Sequence, residues 1–151
     1  MHLRDYRTED LETLVKIDQA CFAAGISYPR EELSRFISQR GSRTWVAEES
    51  GEIAGFLIAE RQAQKMAHIV TVDVVDGWRR RRVGSSLMDA AELWAREQEL
   101  LLVYLETAEN NTAAQAFYAA RGYRKVDRVA HYYSDGTSAW VMLKRLKGRE
   151  V

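Results

Sequence analysis

The order of extended and helical patterns in this chain predicts a mixed α/β fold, a sheet of about seven strands with about four helices. The chain has 151 residues and 46% apolar content, enough for one buried core, so we expect residues 1–151 to form a single domain. Short apolar runs typical of strands alternate with stretches of helical period. In the middle of the chain a strand, a loop and a helix lead into another strand, which indicates a parallel crossover.

The first half of the chain predicts one strand, two helices and three further strands. Residues 2–7 predict the first strand, and Thr8 is the expected cap of the first helix. The segment "SYPREELSRFISQRG" predicts a second helix that begins near Pro29. Two strands are expected around the Ser50–Gly51 turn, and "AHIVTVDVV" is expected to be a central strand because it is mostly apolar.

The second half predicts two helices, each followed or preceded by a strand, and a final hairpin. A helix follows the run of arginines, "LLVYLET" is a strand, and "NTAAQAFYAARG" is a helix capped by Asn110 or Asn111. The strands "YRKVDRVAHYY" and "SAWVMLKRL" should be joined by a tight turn at Asp135–Gly136. The predicted order is therefore β-α-α-β-β-β-α-β-α-β-β.

Charge and composition argue against several function classes. Twenty-two basic residues balance twenty-two acidic ones, whereas a general nucleic-acid binder usually carries a clear basic excess. The single cysteine, Cys21, cannot form an intrachain disulfide, and no apolar run approaches the roughly 18 residues of a membrane span. We therefore expect a cytoplasmic protein with no nucleic-acid partner and no membrane span.

Four consecutive arginines, Arg79 to Arg82, precede Gly84 and Ser85 where a helix is expected to begin. Free backbone N–H groups at a helix N-terminus, with arginine side chains beside them, suit a phosphate. Gly84 lets the backbone approach a ligand closely, and Ser85 adds a hydroxyl. The segment thus predicts a phosphate or pyrophosphate site, although a solvated charge run at a turn is the simpler alternative.

The segment "VTVDVVDGWRRRRVGSSLMDAAE" resembles the acyl-CoA-binding motif of the GNAT superfamily of N-acyltransferases, in which a strand leads through Arg/Gln-x-x-Gly-x-Gly/Ala into a helix. Arg79, Val83 and Gly84 match that motif. The segment "LETAENNTAAQAFYAARGY" is similar to the family's second hallmark segment, and the order of elements matches over nearly the whole chain. The family has a glycine where Arg82 stands and often a proline where Asp76 stands. We expect Arg82 to take the right-handed conformation of a helix entry, which needs no glycine.

The resemblance implies acetyl-CoA as the cofactor and assigns residues to it. The backbone of Val72, Asp73 and Val74 would run beside the pantetheine arm, and Asn111 would touch that arm. A backbone N–H at a strand bulge near Val74 would stabilise the oxyanion. Arg79 opens the pyrophosphate loop. The amides that would hold the pyrophosphate belong to Arg80, Arg81, Arg82, Val83, Gly84 and Ser85.

The same resemblance suggests the catalytic residues. Tyr118 matches the tyrosine that faces the coenzyme sulfur, so it would protonate the departing thiolate, unless it only packs. Glu106 is the first choice for the base and Asp73 the second. His68 and Asp73 lie five residues apart on one strand, and strict alternation would point them to opposite faces, so both could not line one cleft. The chemistry needs no metal, and the sequence has no Cys/His cluster to bind one.

Within the superfamily, the chain is most similar to the protein N-terminal (Nα) acetyltransferases of the bacterial ribosomal-protein alanine type and the archaeal type. The segments "IDQACFAAGISYPREELSRFI" and "HYYSDGTSAWVMLKRL" carry this likeness. It places Tyr28, Tyr132 and Tyr133 around the peptide N-terminus; the alternative is that they pack the sheet edge. An α-amine has a pKa of about 7.7–8.0, so a modest base working through water would suffice.

The function implied is direct acetyl transfer, in a ternary complex, to the α-amine of a protein or peptide, with a ribosomal protein among the candidate substrates. One alternative is a GNAT enzyme that acetylates a small amine or an antibiotic. Another is a catalytically silent acyl-CoA-binding domain. The sequence leaves a monomer and a homodimer equally open.

Overall fold

The structure, a computed structural model, describes residues 1–79 and 81–146. Seven strands form one sheet: β1 (His2–Asp5), β2 (Ser42–Glu49), β3 (Glu52–Gln62), β4 (Met66–Val74), β5 (Leu102–Ala108), β6 (Arg124–Val129) and β7 (Ala139–Arg145). The α-helices in these ranges are α1 (Leu11–Cys21), α2 (Arg30–Ser38), α3 (Val83–Glu97) and α4 (Thr112–Ala120). The predicted mixed α/β fold and the order of its elements are confirmed.

The sheet has the order β1-β2-β3-β4-β5-β7-β6. Its neighbours are antiparallel except for β4 and β5, which run parallel and are connected through α3. Both of these strands therefore end at the same edge of the sheet, where α3 and α4 begin. Within the described ranges, none of the helices combines the length and apolar character that crossing a bilayer would require.

Two apolar layers cover the two faces of the sheet. Helices α1 and α2 pack on one face, where Leu14 and Leu33 are fully buried against Phe56. Helix α3 packs on the other face and contributes Leu87 and Met88 to the apolar core there. Side chains at three- and four-residue spacing supply these contacts, as expected for amphipathic helices.

The N-terminal boundary differs from the sequence prediction. Strand β1 ends at Asp5, and residues Thr8–Asp10 form a short 3₁₀ turn, so α1 begins at Leu11. The carboxylate of Asp10 explains the turn, because it accepts a hydrogen bond from the backbone of Arg7 at 2.8 Å and pairs with Arg4 at 2.8 Å. Thr8 therefore does not cap α1.

The C-terminal hairpin is also shorter than predicted. Strand β6 ends at Val129 and β7 begins at Ala139, so a nine-residue connection, residues 130–138, replaces the expected tight turn. We call this connection the hairpin loop. Asp135 and Gly136 do form a turn within it, because Gly136 N–H donates to the carbonyl of Tyr133 at 2.9 Å. Tyr132 and Tyr133 consequently lie in a loop and not in a strand.

Strand β4 contains a bulge at Val70. Ile58 pairs with Thr71, whereas the next residue, Ala59, pairs with Ile69, so Val70 is an extra residue. The extra residue shifts the alternation of side chains along β4. The expected bulge near Val74 is therefore wrong, because pairing with β3 is regular from Thr71 to Val74.

Candidate active site

Strands β4 and β5 separate after a short paired segment. Among the described residues, their pairing extends only over Met66–His68 and Leu102–Tyr104. Beyond that point a gap opens between residues 69–74 of β4 and residues 105–108 of β5; we call it the interstrand cleft. The predicted coenzyme strand, residues 72–74, forms one side of this cleft. Its backbone is available on that side for pairing with an extended ligand.

The segment of consecutive arginines that precedes α3, which we call the arginine loop (residues 79–82), follows β4 at the open end of the cleft. Arg79, Arg81 and Arg82 are exposed, and the Arg81 guanidinium lies 5.1 Å from the centre of the Trp78 ring. Arg80 lies outside the described residues. The first helical turn, which starts at Val83, presents backbone N–H groups with no partner inside the helix. The predicted combination of helix N-terminus and flanking arginines is thus present at the cleft.

Arg82 does not have the predicted conformation. Its φ of 63° and ψ of 17° place it in the left-handed region and not in the right-handed helical region. Arg82 connects the Asp76–Trp78 3₁₀ turn to α3. Glycine adopts the left-handed conformation more easily than any other residue, which accounts for the family's glycine at this position. The expectation that Arg82 enters the helix without this requirement is therefore wrong.

Helices α3 and α4 approach each other beside the cleft. A Cβ placed on Gly84 would lie 3.4 Å from Phe117 Cζ and 3.7 Å from Val74 Cγ2, so this position has little spare room. Asn111 caps α4, because its Oδ1 accepts a hydrogen bond from the backbone of Ala114 at 3.1 Å. The cap fixes the start of α4 at the same end of the cleft as the start of α3.

A chain of three charged side chains crosses one face of the sheet. His68 Nδ1 lies 2.9 Å from Glu60 Oε1, and His68 Nε2 lies 2.7 Å from Glu106 Oε2. The imidazole stacks on Tyr104 with ring centroids 4.7 Å apart. Burial alone would lower the pKa of His68, but its hydrogen bonds to Glu106 and Glu60 raise the pKa to about 9. His68 is therefore an imidazolium at neutral pH and donates to both carboxylates.

The charge of Glu106 acts on the hydroxyls of four tyrosines. Burial and then Glu106 raise the pKa of Tyr104 and of Tyr133 to about 12. Burial and the same carboxylate also raise the pKa of Tyr132, and burial, Tyr132 and Glu106 raise that of Tyr28. Each tyrosine stays protonated at neutral pH and can act as a hydrogen-bond donor. We call Tyr28, Tyr104, Tyr132 and Tyr133 the tyrosine wall.

Two loops meet to bring the tyrosine wall together. The loop between α1 and α2, residues 22–29, carries Tyr28, and the hairpin loop carries Tyr132 and Tyr133. Ser134 joins them, since its N–H and its Oγ both donate to the carbonyl of Gly25, at 3.2 and 2.8 Å. Gly25 has a φ of 90°, and a Cβ there would lie only 2.8 Å from Asp135 Cβ. Glycine is therefore required at this contact.

Tyr118 lies on α4, on the side of the sheet opposite the chain of charges. Its ring packs edge to face against Phe117 and Tyr123, with centroids 5.3 and 5.9 Å apart. Burial raises the pKa of Tyr118, and the nearby Asp73 and Tyr133 raise it further. The phenol is therefore protonated over the whole working range of pH, as a proton donor must be.

Asp73 faces a second buried carboxyl group, that of Asp18 on α1. Tyr28 N–H donates to Asp18 Oδ2 at 2.7 Å, and Thr71 Oγ1 donates to Asp73 Oδ1 at 2.5 Å. Among the described residues, Asp18 Oδ1 and Asp73 Oδ2 have no hydrogen-bond partner of their own. Burial raises the pKa of both groups, and Asp18 raises the pKa of Asp73 further. One shared proton would satisfy both oxygens.

His68 and Asp73 point to the same face of the sheet, contrary to the sequence prediction. Their partners on β3 are Glu60 and Phe56, which lie four residues apart in a stretch of β3 that pairs regularly with β2 and so share a face. The bulge at Val70 is the cause, because it adds one residue to the count between His68 and Asp73. Counting alternate residues along β4 therefore assigns Asp73 to the wrong face of the sheet.

Glu60, Tyr104 and Asp18 were missed by the sequence analysis, although each had a signal. Glu60 is the first charged residue after the apolar run "GFLIA" in a strand. Tyr104 stands two residues before Glu106 and so shares its face. Asp18 interrupts the apolar side of α1, four residues after Leu14. For Glu60 and Asp18 the signal was a lone charged residue on a buried face.

Comparison with known proteins gives consistent results. The profile of the Acetyltransferase (GNAT) family matches residues 11–123. An N-alpha-acetyltransferase from Sulfurisphaera tokodaii is 26% identical over 156 residues, covering 93% of this chain and 90% of that protein. Ard1 from Thermoplasma volcanium has a TM-score of 0.84 at 28% identity, with 97% of each chain covered. The ribosomal-protein-S18-alanine N-acetyltransferase from Escherichia coli has a TM-score of 0.85, with 99% of this chain and 97% of that chain covered; at 19% identity it shows the fold alone.

Proposed function

The chain belongs to the acetyltransferase (GNAT) family and is an acyltransferase, and from that premise we propose that it transfers acetyl from acetyl-CoA to the N-terminal α-amine of a protein or peptide. One observation carries the proposal. Glu106 lies on β5 where the interstrand cleft opens; its carboxylate is 2.7 Å from His68 Nε2, and its charge raises the pKa of the tyrosines of the tyrosine wall. An acceptor for an amine proton is thus next to the place where an acyl donor would lie.

The residues around the cleft fit acetyl-CoA. The backbone of Val72, Asp73 and Val74 offers donors and acceptors to an extended pantetheine arm, and Asn111 lies at the start of the facing helix. Amides from Arg82 to Ser85 and the guanidinium groups of the arginine loop suit a pyrophosphate. When bound, acetyl-CoA supplies an activated acyl group and a thiolate leaving group.

Glu106 is the proposed base. A peptide α-ammonium group has a pKa of about 7.7–8.0, so a carboxylate acting directly or through one water can remove its proton near neutral pH. Asp73, the second candidate, is almost fully buried beside Asp18, and its raised pKa favours the protonated form. A carboxyl that already holds a proton cannot accept another, which supports Glu106 over Asp73.

The tyrosine wall and Tyr118 complete the proposed site. Tyr28, Tyr132 and Tyr133 present hydroxyls that can hold the peptide N-terminus and its first carbonyl. Tyr118 holds a proton that it can give to the departing thiolate, and packing in the core against Phe117 and Tyr123 fixes its ring. The alternative, that Tyr118 only packs, predicts no effect from deleting its hydroxyl.

Relatives support an α-amine as the acceptor. The Sulfurisphaera tokodaii protein bears the name N-alpha-acetyltransferase, and its alignment covers nearly all of both chains. The ribosomal-protein alanine type is represented by fold likeness at 19% identity. We therefore propose protein N-termini as the substrate class and keep ribosomal proteins as one candidate within it.

A thiol-release assay with acetyl-CoA tests the proposal. The acceptors would be peptides that differ in their first residue, the same peptides with a blocked N-terminus and an internal lysine, and a set of small amines. We expect release of coenzyme A with several free N-terminal peptides and only background release with the blocked ones. Turnover confined to small amines would identify a different acyltransferase. No turnover with any acceptor, despite tight acetyl-CoA binding, would indicate a silent binding domain.

A further inference from the structure

The chain of Glu60, His68 and Glu106 spans three neighbouring strands on one face of the sheet. Glu60 on β3 is the direct partner of His68 on β4, and His68 is the direct partner of Tyr104 on β5, two residues before Glu106. The pairing of the strands therefore places these three side chains side by side across the sheet. Glu60 and His68 are both buried, at 5% and 8% relative exposure, whereas Glu106 is partly exposed. The chain thus runs from the interior toward the tyrosine wall.

An unpaired buried carboxylate is costly, so the contacts of Glu60 must compensate for its loss of water. Its Oε1 is 2.9 Å from His68 Nδ1 and also accepts a hydrogen bond from Gln62 Nε2 at 2.7 Å. Its hydrogen bond with His68 lowers the pKa of Glu60, so it is ionised at neutral pH. The charge of Glu60 contributes to the raised pKa of Tyr104. Within the described ranges its hydrogen bonds go to Gln62 and His68, so it bears on Glu106 through His68.

We propose that Glu60 is a positioning residue for amine deprotonation: through Nδ1 it orients His68 and keeps it protonated, so that the Nε2–H group fixes one carboxylate oxygen of Glu106. This inference rests on the proposed function of Glu106 as the base. Because His68 engages only Oε2, the carboxylate retains lone pairs for the amine or for a bridging water. The proton taken from the amine then resides on Glu106.

The protonation state of His68 decides whether this arrangement holds. As an imidazolium it donates from both nitrogens. As a neutral ring with its hydrogen on Nδ1, it would turn the Nε2 lone pair toward the carboxylate of Glu106, which would repel it. The carboxylates of Glu60 and Glu106 keep the cationic form up to a pKa of about 9. Among the described residues, the other groups whose pKa the charge of Glu106 raises are the hydroxyls of the tyrosine wall, which stay neutral in that range.

Replacing Glu60 with glutamine tests the proposal. The amide keeps the size of the side chain and an oxygen to accept from Nδ1, but it removes the charge, so His68 should lose its proton at lower pH. If the pKa of His68 falls by about two units, its protonated fraction at pH 8 drops from about nine-tenths to about one-tenth. We expect kcat/KM for an N-terminal peptide to fall roughly tenfold at pH 8 and little at pH 6, with acetyl-CoA affinity unchanged.

A matched control is Glu92→Gln. Glu92 is an equally buried carboxylate, on α3, and accepts hydrogen bonds from Lys144 Nζ at 2.6 Å and Tyr123 Oη at 3.0 Å. This change should lower stability without altering the pH profile of kcat/KM. A third variant, Glu60→Asp, keeps the charge and should retain part of the alkaline activity that Glu60→Gln loses.

Titration of the His68 imidazole by NMR provides a readout that does not depend on turnover, and its wild-type midpoint does not depend on whether a variant folds. The wild-type midpoint should lie near 9, and that of Glu60→Gln well below it. A wild-type midpoint near the ordinary value of about 6.5 would overturn the inference. So would a Glu60→Gln enzyme whose pH profile matches the wild type. If no N-terminal peptide is acetylated by the wild type, the proposed function itself fails; a peptide-active wild type with an indifferent Glu60→Gln variant refutes only the role of Glu60.

Discussion

At the scale of single residues, Tyr118 is the most informative position for catalysis. Its ring contributes to the core between Phe117 and Tyr123, while its hydroxyl is the part that the proposed reaction uses. The two roles can be separated because phenylalanine keeps the ring. Burial, and to a smaller extent the charge of Asp73, raise the pKa of Tyr118 and keep its phenol protonated.

Tyr118→Phe should reduce kcat by roughly 10²–10⁴-fold, the usual contribution of a positioned general acid. Acetyl-CoA affinity, measured by calorimetry, and the melting temperature should change little, because packing is retained. Steady-state kinetics with one N-terminal peptide would measure the effect. An unchanged kcat would mean that water protonates the thiolate and that Tyr118 only packs.

Arg82 shows where residue-level reading of the sequence reached its limit. The motif predicted correctly that a loop leads into a helix, which begins at Val83, but the backbone of Arg82 is left-handed, where we expected a right-handed one. Sequence alone could not reveal this, because the conformation is imposed by how the loop connects β4 to α3. The departure from the family's glycine was the available clue, and a left-handed backbone was its more direct physical meaning.

At the scale of elements, two loops form the amine side of the site. Gly25 in the α1–α2 loop touches the hairpin loop through Ser134 and Asp135. Their contact brings the loop that carries Tyr28 next to the loop that carries Tyr132 and Tyr133. The sequence predicted both loops as substrate-binding segments through their likeness to the family, and it placed the helices and strands that flank them.

Gly25→Val should separate these loops, because the added side chain cannot fit against Asp135 at the observed backbone angle. We expect the peptide KM to rise about tenfold while acetyl-CoA affinity stays the same, since the interstrand cleft is not altered. Gly51→Val is the control: Gly51 also has a positive φ, of 81°, but a Cβ there would meet nothing within 4 Å. A rise in KM for the control alone, or loss of coenzyme binding in Gly25→Val, would contradict this account of the loops.

Strand β4 shows why elements are predicted more easily than their side-chain directions. Its apolar composition correctly predicted a strand in the centre of the sheet. The bulge at Val70 has no residue signature in this sequence, and it moved Asp73 to the face of His68. One inserted residue reverses every later side chain in a strand, so a site read by counting along β4 could not be correct.

At the scale of the whole molecule, the buried pair of Asp18 and Asp73 links α1 to the sheet and affects stability. The pKa of each is raised by burial, so the folded protein binds a proton that the unfolded chain releases above its ordinary value of about 3.9. Stability therefore falls as pH rises above that value, by about 1.4 kcal/mol per pH unit for each extra proton bound, until the pair ionises.

Asp73→Asn should flatten this dependence. The amide can donate to Asp18 Oδ1, which has no partner within the described ranges, and its oxygen can still accept from Thr71 Oγ1. The free energy of unfolding, measured with urea between pH 5 and pH 8, should fall less steeply than in the wild type, and the variant should be at least as stable at pH 8. An equal slope in both proteins would show that the pair does not hold a shared proton.

The central claim is that the site acts on an N-terminal α-amine, and the most direct test is to locate the acetyl group on a product. A peptide with one free α-amine and one internal lysine would be incubated with acetyl-CoA and enzyme, and the product would be sequenced by tandem mass spectrometry. We predict acetyl on the N-terminal nitrogen, absent when Glu106→Gln replaces the wild type under the same conditions. Acetyl on the lysine side chain with the N-terminus left free would contradict the account.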